Sequence, residues 1–368
     1  MIITEKIVKH YGWLVTFTKF WIREFKTITP MPFFARLDMW RRGFFSAAWY
    51  RYEFYLKKNK PSDYVTDYQE NLIASKINKK IVSIYVDDKV IFPLFFKSFC
   101  PVVENFAFIN NTKLIPQSAD VVFRTFDDVW DHIKTKGDIV IKPIGGSRGG
   151  KVNVFKNADD PAGILINGVL KDKDYFKQYA SVLDFNIVCP MIYQADYSKR
   201  FYPATTNTIR LLTMIDPETN KAFIAHAVQR IGTKHSFPVD NFAVGGITVN
   251  IDVEKGILGR GSYIIPTESE KVWYTHHPEN NEPITGTVIP NWEKIKSTML
   301  NVANSVSFLK IIGWDLIVME NEKGFVLLEG NNGPCFKVHQ LHGGFNENPA
   351  IKKFMKFYNG GFLTGKEK

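Results

Sequence analysis

The sequence predicts an α+β fold. Five strand-like segments follow one another in the second half of the chain, in "FNIVCPMIY", "NTIRLLTMID", "KAFIAHAVQRIG", "GGITVNIDV" and "GWDLIVMENEKGFVLLEGN". One long helix, "NWEKIKSTMLNVANSVSFLKII", interrupts them. Strands and helices mix without the regular βαβ alternation of a doubly wound sheet.

The elements can be justified in order. Residues 1–28 read as an amphipathic helix. Ile7, Val8, Tyr11, Leu14, Val15, Trp21, Ile22 and Phe25 fall at helical spacing, lysines and arginines fill other faces, and Pro30 and Pro32 end it. Such a helix packs on its own domain or lies on a membrane surface. Residues 33–80 are mainly helical and aromatic-rich. "IVSIYVDDKVIFPLFFKSF" reads as a strand, a turn and the start of an apolar helix, and "FAFINNTKLIP" as strand. "RTFDDVWDHIKTKG" is a short helix, with Thr125 as cap, Asp128 at the capping-box position and Gly137 after its end. "DIVIKPIGGSRGGKVNVFK" is a hairpin with a long glycine-rich tip, and "ADDPAGILINGVLKDKDYFKQYASVL" is loop and helix.

Composition narrows the class. Hydrophobic content of 45% and charged content of 23% suit a soluble globular protein. Cys100, Cys189 and Cys335 are far apart and odd in number, which is neither a disulfide framework nor a zinc pattern. A reducing compartment is the simplest expectation. The N-terminus lacks the pattern of a signal peptide, and no stretch approaches the roughly 18 apolar residues of a spanning helix. The expected location is cytoplasmic, with peripheral contact at the inner face of the membrane through residues 1–28 as the sharper option. The formal net charge is +10, and residues 1–60 alone carry +8. No nucleic-acid recognition motif accompanies that charge, so nucleic acid is not an expected partner. Nothing indicates an oligomeric state.

Two stretches carry chemistry. "IGGSRGGK" places four glycines and an arginine in eight residues, with Lys142 just before them at the end of a β run. Glycines let backbone N–H groups approach phosphate oxygens closely. Lys151 is followed by Val152, so this is not a Walker A loop, and a strand follows where a Rossmann fingerprint needs a helix. In the second stretch, a turn near Glu322 sets Asp315 across from Glu329, and Asn331 shares a strand face with Glu329. Facing carboxylates repel. A hard divalent cation held by Asp315, Glu329 and Asn331 would offset that repulsion, and Mg²⁺ favours such oxygen ligands together with substrate phosphates. A solvated hairpin with unrelated acids is the plainer alternative.

Together these residues resemble the ATP-grasp superfamily, and more narrowly its sugar-transfer-associated family. The likeness rests on Asp87–Asp88–Lys89 in "VDDKVIFPLFF", "KPIGGSRGG" at 142–150, "NTIRLLT" at 207–213, "VDNFAVGGITVNID" at 239–252 and "GWDLIVMENEKGFVLLEGNNGP" at 313–334. These appear in the family's order over roughly residues 40–345. The resemblance implies an ATP-grasp fold in which two α+β subdomains grip the nucleotide, preceded by a helical basic N-terminal region. It implies ATP and one or two Mg²⁺ ions, or Mn²⁺, as cofactors. Lys89 and Lys142 would contact phosphates under a lid of Gly145, Gly146, Ser147, Arg148 and Gly149. Asp315, Glu329 and Asn331 would hold the metal. Arg210 would face the transferred phosphoryl group, with Arg230 and Asn241 lining the phosphate and acceptor site. A structural ion pair is the rival role for Arg210. The hinge "IVCPMIYQADY" departs from the family, with Cys189 and Pro190 where Glu or Gln is common. Backbone groups of Met191, Ile192 and Tyr193 would then hold adenine, and Gln194 and Asp196 the ribose.

The expected division is a helical region at 1–80, an entry segment at 81–136, a lid subdomain at 137–193 and a metal-bearing subdomain at 194–368. The expected activity is an ATP-dependent carboxylate–amine ligase in surface polysaccharide assembly, acting on small or sugar-linked carboxylates and amines. Its rivals are a phosphotransferase, with His226, His339 or His342 as phosphate carrier or ordinary residue, and a non-catalytic membrane-peripheral scaffold.

Overall fold

The computed structural model describes residues 18, 20–22, 24–25, 30–74, 77–145, 152–263 and 271–364. The N-terminal region contributes helices α1 (Phe33–Arg42), α2 (Asp67–Ala74), α3 (Lys80–Asp87) and α4 (Ile91–Phe96). Most of the expected 1–28 helix lies outside the described residues. Of its described part, Phe20 is buried and stacks on Phe45 with ring centroids 4.6 Å apart, and the Glu24 carboxylate accepts from the Ser46 N–H at 2.9 Å. These residues pack on their own domain.

Among the described residues, fourteen strands form two seven-stranded antiparallel sheets. The first holds β1 (Ala107–Asn110), β2 (Lys113–Pro116), β3 (Ile139–Pro143), β4 (Asn153–Asn157), β5 (Gly163–Ile166), β6 (Val169–Asp172) and β7 (Asn186–Pro190), in the order β2-β1-β7-β3-β4-β5-β6. Helices α5 (Phe126–Thr135) and α6 (Lys173–Ala180) cover one face. The Thr125–Asp128 capping box that starts α5 is present as expected. The β3–β4 hairpin also forms as expected.

The second sheet holds β8 (Ile209–Ile215), β9 (Ala222–Ile231), β10 (Ile247–Asp252), β11 (Ile257–Tyr263), β12 (Val272–Tyr274), β13 (Ile311–Val318) and β14 (Phe325–Asn331), in the order β12-β11-β10-β9-β8-β13-β14. Long helix α7 (Trp292–Ser305), with α3 and α4, covers one face through Ile295, Met299, Val86, Phe92 and Phe96, packed on Trp314, Leu316 and Leu327. Helices α8 (Phe336–Gln340) and α9 (Pro349–Thr364) cover one end of the opposite face, over Leu212, Met214 and Ile311.

Two local expectations are corrected. "IVSIYVD" is helix α3, not a strand: Val86 packs against β14 so closely that a Cβ on Gly330 would stand 2.9 Å from its Cβ. "GILINGVLKD", read as loop, is the β5–β6 hairpin, turned at Asn167 and Gly168, whose φ angles are 48° and 80°. That Asn-Gly pair matches the positive angles a tight hairpin turn needs.

The two sheets meet along a seam. The Val103 N–H donates to the Leu327 carbonyl at 3.0 Å, and the Ala195 N–H donates to the Val318 carbonyl at 2.8 Å. Val140 and Cys189 from the first sheet pack with Ile317, Val326 and Leu328 from the second. Along one face of β13 the alternating residues are therefore Ile311 under the C-terminal helices, Gly313, Asp315, and Ile317 in the seam. Asp315 lies between two apolar clusters.

Candidate active site

The site is assembled on that face of β13. Asp315 stands opposite Glu329 on β14, as the sequence predicts, and opposite Arg210 on β8. Opposed residues on neighbouring strands share a face, so three charged side chains form one row. A register shift between Asp315 and Leu316 leaves Leu328 without a partner and keeps Glu329 in the row.

Asp315 is 1% exposed, and both its oxygens are engaged. Arg210 pairs with it through Nε and, at 2.7 Å, through an NH2 group, while Arg230 reaches it at 3.1 Å. Burial alone would raise the Asp315 carboxyl, but the two guanidinium groups more than offset that and hold its pKa below the ordinary carboxylate range. Arg210 lies across Gly313, where a Cβ would come within 3.4 Å of its Cδ.

Arg230 is anchored in turn. Its guanidinium donates to Thr208 Oγ1 at 2.9 and 2.6 Å and stands 3.4 Å from Asp240. Asp240 accepts from the Thr208 N–H at 2.8 Å and from its hydroxyl at 2.6 Å. Asn241 shapes the loop itself: its Oδ1 accepts from the Ala243 N–H at 2.8 Å. Gly245, at φ 113°, and Gly246 follow it.

Lys89 is placed by the two acids before it. Asp87 accepts from the Asn332 N–H at 3.0 Å, and Asp88 caps the next helix by accepting from Val90 and Ile91 at 2.8 and 2.9 Å. Lys89 then reaches Glu329 at 3.6 Å and donates to the Ile144 carbonyl at 3.2 Å, next to the glycine loop. Lys142 shares the inward face of β3 with Val140 and has no hydrogen-bond or ion-pair partner among the described residues. Gly145 is exposed at the end of this run, with open space where a Cβ would be. Gly146, Ser147, Arg148 and Gly149 lie outside the described residues.

The hinge leaves the seam beside this row. The Met191 N–H is taken by the Asp138 carbonyl at 3.0 Å. The N–H groups of Ile192 and Tyr193 carry no hydrogen bond among the described residues. The Tyr193 hydroxyl donates to Asp138 at 2.6 Å. Gln194 is spent within the fold, donating to the Thr205 carbonyl at 2.6 Å and accepting from the Asn207 N–H at 2.8 Å. Asp196 is exposed, its N–H bonded to Glu320 at 3.0 Å.

The donor set suits a hard cation in part. Glu329 is 24% exposed on its side chain, and the Asn331 amide nitrogen points to the Gly313 carbonyl at 3.4 Å, leaving its oxygen free among the described residues. Asp315 has its oxygens committed to the two arginines. Among the described residues no three His, Cys, Asp or Glu side chains converge. The Glu329 carboxylate and the Asn331 amide oxygen are the available donors, and hard oxygen donors of this kind fit Mg²⁺ chemically; Asp315 adds a second carboxylate only if it leaves its guanidinium partners.

The histidines lie deeper. His226 and His339 meet at 3.1 Å through their Nδ1 atoms, and burial pushes His226 down to about 4. His339 and His342 are also held well below the ordinary histidine range by burial, so all three are neutral near pH 7.

A model of the family described as sugar-transfer associated ATP-grasp matches residues 68–355. The chain belongs to this family. Sequence comparison with curated proteins finds no match. Among solved structures, a D-alanine–D-alanine ligase from Helicobacter pylori is 13% identical, with a TM-score of 0.42, covering 80% of this chain and 70% of its own. An N5-carboxyaminoimidazole ribonucleotide synthetase solved as its ADP complex is 7% identical, with a TM-score of 0.37, covering 68% of this chain. The enzyme of that name from Thermotoga maritima is 10% identical, with a TM-score of 0.33, covering 67%. The chain spans less than half the length of these two synthetases, 46% and 42%. Within this ATP-grasp chain, sequence reasoning missed Thr208 as the group holding Arg230. Its signal was the Thr-x-Arg spacing in "NTIRLLT", which puts Thr208 and Arg210 on one strand face. Among the described residues no helix is long and apolar enough to cross a membrane.

Proposed function

We propose that the protein is an ATP- and Mg²⁺-dependent carboxylate–amine ligase. The observation that carries this reading is the apolar seam running directly into a charged row. Val140, Ile192, Met319 and Leu328 offer an apolar face for a base, and the ion-paired set of Lys89, Glu329, Asp315, Arg210 and Arg230 follows beside it. In this reading the free Ile192 and Tyr193 N–H groups face the adenine edge. Gln194 is a hinge brace, and Asp196 is left as the candidate for the ribose. Lys89 and Lys142 bind phosphate oxygens, with 137–193 as the lid side and 194–368 as the metal side.

The reaction needs charge neutralisation and positioning more than a protein nucleophile. A substrate carboxylate oxygen attacks the γ-phosphorus, the bond to the ADP oxygen breaks, and an acyl phosphate forms. An amine nitrogen then attacks the acyl carbon, the carbon–oxygen bond breaks, phosphate leaves and the nitrogen loses a proton. Arg210 and Arg230 stabilise the charge on the transferring phosphoryl group. Glu329 and Asn331, with Asp315 when it exchanges its guanidinium partners, would hold Mg²⁺, which supplies further charge neutralisation of phosphate oxygens. The family description favours a carboxylate or amine carried on a sugar, in surface polysaccharide assembly.

The test is phosphate release from ATP with pooled uronic acids, amino acids and amino sugars. Release that needs both a carboxylate and an amine, with an amide product by mass, supports the ligase. Phosphate retained on an acceptor would instead indicate a phosphotransferase.

A further inference from the structure

Helix α1 is turned the wrong way round for a helix that only packs on its own domain. Of its ten residues it buries Met39 alone. Met39 packs with Phe44, Tyr52 and Phe54, with Met31 and Trp49 against that cluster. Phe33, Phe34 and Leu37 are all exposed, Phe33 at 65% and Phe34 at 82%. Leu37 lies four residues from Phe33 and three from Phe34, so the three share one side of the helix, away from Met39. A surface helix ordinarily turns such a stripe to the core.

A second segment widens the patch. Phe20 and Glu24, four apart, face the domain through Phe45 and Ser46. Ile22 and Phe25 are exposed instead, Phe25 at 68%. The Phe25 ring stacks on Trp21 at 5.6 Å, and both meet the Trp40 ring of α1, at 6.2 and 4.9 Å. Trp40 is three residues past Leu37, so Phe25 adjoins the stripe of α1. Ile22, Phe25, Phe33, Phe34 and Leu37 thus stand out from two joined segments. Exposed apolar side chains gathered in this way mark an interaction surface.

The charge around the patch has one sign. Residues 1–60 hold twelve Lys and Arg against four Asp and Glu, and two of those acids, Glu24 and Glu53, are buried. Arg41, Arg42, Lys57, Lys58 and Lys60 are exposed. Arg41 is four residues past Leu37 and continues its side of α1. Arg41 and Arg42 share the single carboxylate of Asp38, at 3.3 and 2.8 Å, which leaves that end of the helix positive. A second copy of the chain would set this positive charge against itself. An anionic bilayer matches both features, since aromatic rings seat in the headgroup layer and arginines meet lipid phosphates.

We propose that α1, with the neighbouring Ile22 and Phe25, is a docking face for an anionic lipid surface. Phe25, Phe33, Phe34 and Leu37 enter the headgroup layer, and Arg41 and Arg42 lie at lipid phosphates. The contact is peripheral, and it does not rest on the ligase reading.

Co-sedimentation of the full chain with vesicles tests this, using phosphatidylcholine alone and phosphatidylcholine mixed with phosphatidylglycerol. The parent is expected to bind the mixed vesicles about tenfold more tightly than the neutral ones, and to lose that advantage at about 1 M salt, where screening shortens to about 3 Å. Phe33→Ser/Phe34→Ser and Arg41→Glu/Arg42→Glu should each weaken binding to mixed vesicles by about tenfold or more. All four side chains are exposed, so the variants should keep the parent's melting temperature. Failure of the parent to bind mixed vesicles, equal binding to neutral ones, or binding indifferent to both double variants would overturn the proposal. So would a dimer in sedimentation velocity that Phe33→Ser/Phe34→Ser abolishes, because the face would then belong to a second copy.

Discussion

Arg210 and Asp315 stand directly opposite each other on adjacent strands and pair through two parallel bonds, from Nε and one NH2 group to the two carboxylate oxygens, with Asp315 almost fully buried. Arg230 completes the set at 3.1 Å. The two facing acids of the β13–β14 hairpin therefore have separate partners: Asp315 has the arginines, and Glu329 has Lys89 at 3.6 Å.

That asymmetry separates stability from activity. Asp315→Asn leaves two buried guanidinium groups short of a counter-charge and is expected to destabilise by about 3–5 kcal/mol. Glu329→Gln breaks a partly exposed pair and should cost under about 1 kcal/mol. It removes the charged ligand proposed for Mg²⁺, however, and turnover should fall on the order of 100-fold. Urea unfolding alongside ATP turnover separates the two. Equal destabilisation by both variants would mean that Glu329 is structural.

Lys89 has two jobs in the geometry, at Glu329 and at the Ile144 carbonyl before the glycine loop. In Lys89→Met a charge-assisted phosphate contact worth about 1.5–3 kcal/mol is lost, so ATP should bind roughly 10- to 100-fold more weakly. Titration with a fluorescent ATP analogue reads this directly. A lowered melting temperature with unchanged nucleotide affinity would leave Lys89 as a brace only.

The buried histidines make stability depend on pH. His226 titrates at about 4 in the fold and at 6.5 in the unfolded chain, so between these values the unfolded state binds more protons. Stability from this group is complete above 6.5 and is lost as pH falls toward 4. Removing the group should flatten the slope by about 1 kcal/mol per pH unit. Denaturant unfolding of the parent and of His226→Gln at pH 7.5, 6 and 5 checks the difference, in which groups away from His339 and His342 cancel. Parallel curves would contradict it.

Much of this was written locally. The β13–β14 hairpin could be read because a polar break separates two apolar runs of equal length, and that fixes the Asp315–Glu329 pairing. The helix at Lys80–Asp87 could not, because its β-branched residues favour a strand and only packing against Gly330 makes it a helix. The β5–β6 hairpin carried its own signal in Asn167–Gly168, which a reading by composition passed over. Within the site, the residue types were visible but their partners were not. Whether Arg210 faces Asp315 depends on the register between β8 and β13, which lie about 100 residues apart in sequence.

Gly246 tests whether the Asp240–Asn241 loop positions Arg230. A Cβ at Gly246 would lie 2.3 Å from the Asp240 carbonyl oxygen and 2.7 Å from its carbonyl carbon, both backbone atoms that cannot step aside alone. Gly246→Ala must push the Asp240 segment away from Thr208 and Arg230. Overpacking of this kind costs about 1–3 kcal/mol. If Asp240 holds Arg230 in place for the reaction, turnover should fall well beyond what lost stability explains, while ATP affinity changes little, because Lys89 and Lys142 are untouched. Gly259→Ala is the control: its nearest contacts are at 3.6 Å, an ordinary packing distance, and it lies on β11 away from Arg230. Steady-state kinetics and melting temperatures for both variants decide the matter. Should Gly246→Ala lose stability yet turn over as fast as the control, the loop supports the fold and Arg230 is set by Thr208 alone.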